Sequence, residues 1–131
     1  MKYFMIISLF VLSCCMALAQ KPERLIRISE IEIHPEYLEQ YKAILREESA
    51  ESVRLEAGVI CIYPMFQKDH PAQIRILEIY ADRQAYESHI KTPHFLKYKK
   101  STLPMVKSLK LIDMEAIDAE SMPKLFQKLR E

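Results

Sequence analysis

Nine residues rich in apolar and β-branched side chains, followed at once by a helix-capping aspartate, set the tightest limit on how this chain can fold. In Gln73–Ala81 (Q-I-R-I-L-E-I-Y-A), Ile74, Ile76, Glu78 and Tyr80 share one face. Arg75, Leu77, Ile79 and Ala81 share the other, so the segment is predicted to be a strand that is apolar on both sides. Asp82 is a good N-cap, which starts a helix directly after the strand. On that helix Ala85, Tyr86 and His89 form one patch facing the sheet. Thr92-Pro93 ends it and caps a second helix, with Pro93 at its first position. Phe95, Tyr98 and Thr102 then share a face until Pro104 stops or kinks that helix.

The remaining elements are arranged around that unit. Arg24–Ile33 reads as a first strand; Ile26 and Ile28 point one way and Leu25, Ile31 and Ile33 the other, which predicts a bulge near Ser29. Pro35 opens a helix running to about Leu55, with Leu38, Tyr41, Leu45, Ser52 and Leu55 at helical spacing. Gly58, the chain's single glycine, is expected to close that helix in the left-handed conformation. Val59–Gln67 is apolar on both faces and is expected to lie centrally or covered, with Pro64 at a bulge or an unpaired edge position. A turn at Lys68–Pro71 pairs it antiparallel with Gln73–Ala81, and Lys107–Ile117 supplies a fourth strand. A tail helix carries Met122, Leu125, Phe126 and Leu129 at helical spacing. The order β-α-β-β-α(α)-β is the ferredoxin-like split βαβ, an α+β class with an antiparallel sheet. Its outer sheet face is also apolar, so a second subunit is expected to cover it.

Residues 1–19 read as a signal peptide: Lys2, an apolar run from Tyr3 to Val11, and Ala17-Leu18-Ala19 before Gln20. The chain is therefore expected to be exported, periplasmic or secreted. An alternative is lipid anchoring at Cys14 or Cys15 through an atypical lipobox. Residues 20–117 form the domain and 118–131 the helical tail. With Lys2 removed, 18 basic residues balance the 18 acidic ones. No basic stripe suggests nucleic acid, and no later apolar run is long enough to span a bilayer. Cys61 is left alone and reads as a small buried apolar residue.

The motif E-x-Y-A-D-x-x-A-Y-x-x-H-x-x-T-P-H-F-x-x-Y (Glu78 to Tyr98), with Glu56-Ala57-Gly58 before the second strand, resembles the antibiotic-biosynthesis monooxygenase (ABM) superfamily, quinol monooxygenase type. The resemblance spans roughly Arg24 to Glu115. It implies a homodimer whose sheets form an α/β barrel, with a pocket between sheet and helices. It also implies oxygenation of quinol-like aromatics by O₂ without metal or flavin. The family often has Trp where this chain has Tyr80. Its haem-degrading branch relies on Asn, Trp and His, and the chain lacks both Asn and Trp.

Chemistry of that kind needs a base, donors that hold an anion, and a dry cavity. His89 is the first candidate base; the other reading is a core histidine satisfied by a carbonyl or by Glu78. His94 sits in the first turn of a helix, whose positive end favours neutral imidazole, or else serves as a cap. Glu78, among isoleucines, needs a partner, with His89, Arg75 or Tyr98 as candidates. Tyr80, Tyr63 and Tyr98 are candidate cavity walls and hydroxyl donors, or plain core. His89 and His94 are five apart across a helix break, not the spacing of a zinc helix, so no metal is expected. The resulting expectation is a cofactor-independent monooxygenase acting on quinol or phenol-like aromatics. The alternatives are a non-catalytic small-molecule-binding domain and a lyase or isomerase on the same scaffold.

Overall fold

The computed structural model describes residues 23–121 and 124. The expected signal peptide, the Cys14/Cys15 alternative and, Lys124 apart, the tail beyond Ser121 lie outside them. The elements are β1 (Leu25–Ile33), a 3-10 turn (Pro35–Tyr37), α1 (Leu38–Leu55), β2 (Val59–Phe66), β3 (Gln73–Tyr80), α2 (Arg83–His89), α3 (Pro93–Thr102), a second 3-10 turn (Leu103–Met105) and β4 (Val106–Met114). The strands form one open antiparallel sheet in the order β2-β3-β1-β4. This is the ferredoxin-like α+β arrangement.

The helix starts follow local chemistry. The Asp82 side chain accepts from the Ala85 N–H, and Thr92 Oγ1 accepts from the Phe95 N–H. The core lies between sheet and helices, where Ile31, Ile33, Ile74 and Ile76 meet Tyr41 and Leu45 of α1. Burying each isoleucine contributes about 1.5–3 kcal/mol.

Three local expectations are corrected. β1 has no bulge at Ser29: Leu25, Arg27, Ser29, Ile31 and Ile33 alternate inward without interruption, and the register shifts only at Glu32/Ile33 against β4. The polar pair Arg27 and Ser29 faces inward because the sheet carries a cavity there. Gly58 is not left-handed; a Cβ on it would lie 2.6 Å from Ala85 Cβ. The glycine lets α2 approach the start of β2, and the chain leaves α1 through extended Glu56. β2 is an edge strand rather than a central one, with Ile60, Tyr63, Met65 and Phe66 exposed. Tyr63 and Met65 stand on its outer face.

Candidate functional site

The inward face of the sheet and the three helices line a partly open cavity of about 430 Å³. Its floor comes from Arg27 and Ser29 of β1, Ile76, Glu78 and Tyr80 of β3, and Leu109 and Leu111 of β4. Its roof comes from Leu45 and Glu48 of α1, Tyr86 and His89 of α2, and Phe95 and Tyr98 of α3. The walls are mainly apolar with a few convergent polar groups, the usual composition of a small-molecule site.

Glu78 is fixed from two sides. Ser29 Oγ donates to its Oε1, and Tyr80 OH donates to its Oε2 at 2.8 Å. Neither His89 nor Arg75 is its partner, because Arg75 points to the other sheet face and bonds the Ile74 carbonyl. Burial, and then the Glu78 charge, push the Tyr80 phenol well above its ordinary value. Tyr80 therefore stays a donor. Tyr98 is pushed up to about 12, chiefly by burial, and its hydroxyl lies 2.7 Å from that of Tyr41.

His89 is 2% exposed, packed edge-on against Phe95 with ring centroids 4.8 Å apart. Its Nδ1 lies 2.9 Å from Glu56 Oε2, and His94 Nε2 lies 2.7 Å from the same oxygen. The break at Thr92-Pro93 folds the start of α3 back, so one carboxylate at the end of α1 binds the end of α2 and the start of α3. Glu48 Oε1 stands 3.6 Å from His89 Nε2, too far for a hydrogen bond, and accepts from Ser52 Oγ at 2.7 Å. Burial raises the Glu48 carboxyl above its ordinary value, against the lowering effects of Ser52, His89 and His94.

Of the residues singled out in the sequence, Glu78, His89, Tyr80 and Tyr98 line the one cavity. His94 does not line it; Glu56 links His94 to His89, and His94 lines a separate cleft between α1 and α3. Tyr63 is not part of it. It pairs with Leu77 on the opposite sheet face and is 59% exposed. The spacing of the two histidines in the sequence suggested no metal site, but the fold brings them to one carboxylate. Glu56, His89 and His94 offer three ligand atoms within 4.8 Å of one another, a set able to take a divalent ion if the two imidazole–carboxylate bonds open.

Four polar residues of the site had no assigned role. Glu56 was visible only as part of the Glu56-Ala57-Gly58 motif. Glu48 falls on the buried stripe Tyr41-Leu45-Glu48-Ser52, where its charge hid it among solvated glutamates. Arg27 and Ser29 interrupt the apolar row of β1, a pattern that in the sequence resembles a change of face.

A family model described as antibiotic biosynthesis monooxygenase matches residues 24–101. Among solved structures, a protein from Bacteroides thetaiotaomicron, provisionally assigned as an antibiotic biosynthesis monooxygenase, is 51% identical. The match covers 73% of this chain and 91% of that one, with a TM-score of 0.72. A provisionally assigned monooxygenase from Lactobacillus acidophilus is 27% identical over 72% of this chain and 46% of its own, with a TM-score of 0.69. PA3566 from Pseudomonas aeruginosa, at 23% identity over 75% and 98% of the two chains and a TM-score of 0.69, shares the fold. No curated protein matches the chain.

Proposed function

Since the chain belongs to the antibiotic biosynthesis monooxygenase family, we propose that it is a cofactor-independent monooxygenase for quinol or phenol-like aromatics, with His89 as its base. The observation that carries this reading is the placement of His89: buried in an apolar cavity with one nitrogen tied to Glu56. With Nδ1–H donating to Glu56, Nε2 keeps a lone pair and can take a phenolic proton. The quinolate then passes electrons to O₂. One oxygen atom enters the ring and the other leaves as water, the quinol supplying both reducing electrons. Glu78, held by Ser29 and Tyr80, is positioned to accept from a second substrate hydroxyl. His94 helps to hold Glu56, and so acts through it.

Oxygen uptake with a panel of hydroquinones tests the reading. Turnover should survive chelators and fall by about 10²–10⁴ in His89→Ala. Ligand binding without oxygen uptake would identify a binding domain instead. Product formed under strict anoxia would identify a lyase or isomerase.

A further inference from the structure

We infer that Arg27 makes this cavity selective for aromatic ligands carrying an anionic oxygen, a reading that rests on the cavity being the ligand site proposed above. Arg27 is 6% exposed, an unusual position for a guanidinium. Two of its nitrogens, Nε and Nη2, engage the same oxygen of Asp113, at 2.8 and 2.7 Å. The Tyr86 ring covers one face of the group, 4.4 Å from Cζ to the ring centroid. Nη1 donates to no described residue, yet it is not among the described polar atoms sealed away without a partner; Ser49 Oγ is. Arg27 lines the cavity beside Tyr86, so its guanidinium offers a permanently charged donor to a ligand bound there.

The pairing with Asp113 does not cancel that charge. The Asp113 side chain is 60% exposed, so water screens it, whereas the Arg27 side chain is 7% exposed. The carboxylates that share the cavity do not compete for Nη1. Glu78 lies opposite Arg27 in the strand register but is held by Ser29 and Tyr80, and among the described residues Arg27 pairs with Asp113 and not with it. Glu48, across the cavity on α1, accepts from Ser52. Lys99 also reaches the wall but is exposed. A carboxylate or a phenolate oxygen on a planar ring would satisfy Nη1 by a charge-assisted hydrogen bond. Tyr86 is placed to meet the same ring.

The test is equilibrium binding under anoxia, by calorimetry, comparing 2,5-dihydroxybenzoate, its methyl ester and hydroquinone. In the unmodified protein the acid should bind about tenfold or more tightly than the ester at neutral pH if a carboxylate is the anion. If a phenolate is the anion, hydroquinone affinity should instead rise with pH toward the phenol pKa. Arg27→Met should abolish whichever preference is found and leave the ester within about threefold. Asp113→Asn, which keeps Arg27 and a hydrogen-bond acceptor but removes the partly screened negative charge that offsets some of the Arg27 charge, should strengthen anion binding modestly, and it serves where Arg27→Met fails to fold. Equal binding of acid and ester with no pH dependence for hydroquinone overturns the inference, as does a preference that survives Arg27→Met. Because no oxygen is present, the preference can hold even where oxygen uptake is absent, so failure of the monooxygenase reading is separately visible.

Discussion

At the scale of single residues, the site is a set of carboxylates given different tasks by their neighbours. Glu78 accepts from two hydroxyls, Glu56 joins two imidazoles, and Glu48 is buried beside Ser52. Burial lifts the Glu48 carboxyl above its ordinary value. The folded state therefore holds that proton more tightly than the unfolded chain. Its effect on stability is absent below both pKa values. Stability then falls as pH rises from the ordinary carboxylate value through the raised one. Glu48→Gln should flatten that fall, as read from urea unfolding between about pH 4 and about pH 8. An unchanged slope would place the titration elsewhere. The sequence identifies His89 and Glu78 by residue type but leaves their partners open, each being only one candidate for the other. Their actual partners, Glu56 for one and Ser29 with Tyr80 for the other, come from three different elements. Only the packing of α1, β1 and β3 brings these together.

At the scale of elements, local chemistry and close packing divide the outcome. The caps at Asp82 and Thr92 act within three residues and were legible in the chain. Gly58 is the contrary case. Its role is set by Ala85, which sits on another element 27 positions later and 2.6 Å from a virtual Cβ. Gly58→Ala should cost about 1–3 kcal/mol through overpacking, measured by urea unfolding. Ala85→Gly in the same molecule should recover part of that loss, although glycine in a helix itself costs about 1 kcal/mol. A left-handed requirement at Gly58 would permit no such rescue. β2 teaches the same lesson, since apolar residues on both faces do not reveal whether a strand lies at the centre of its own sheet or waits for another.

At the scale of the whole molecule, the outer sheet face presents Ile26, Ile28, Tyr63, Leu77, Ile112 and Met114. We propose that a second copy covers it. Light scattering should give twice the single-chain mass, and Leu77→Glu should halve it. A monomeric unmodified protein would refute the proposal. Export is tested separately by the mass of the secreted or periplasmic product, which should begin at Gln20. By itself the sequence determined the order of the described elements, the antiparallel hairpin, the starts of α2 and α3 and the reactive stretch from Glu78 to Tyr98. Alternation, capping and turn formation are short-range effects written within a few residues. Only the tertiary structure decided which carboxylate holds His89, that Arg27 and Ser29 face a cavity, and that Tyr63 does not. Those outcomes depend on contacts between residues far apart in the chain, where a polar side chain becomes a site residue only once packing has removed the water around it.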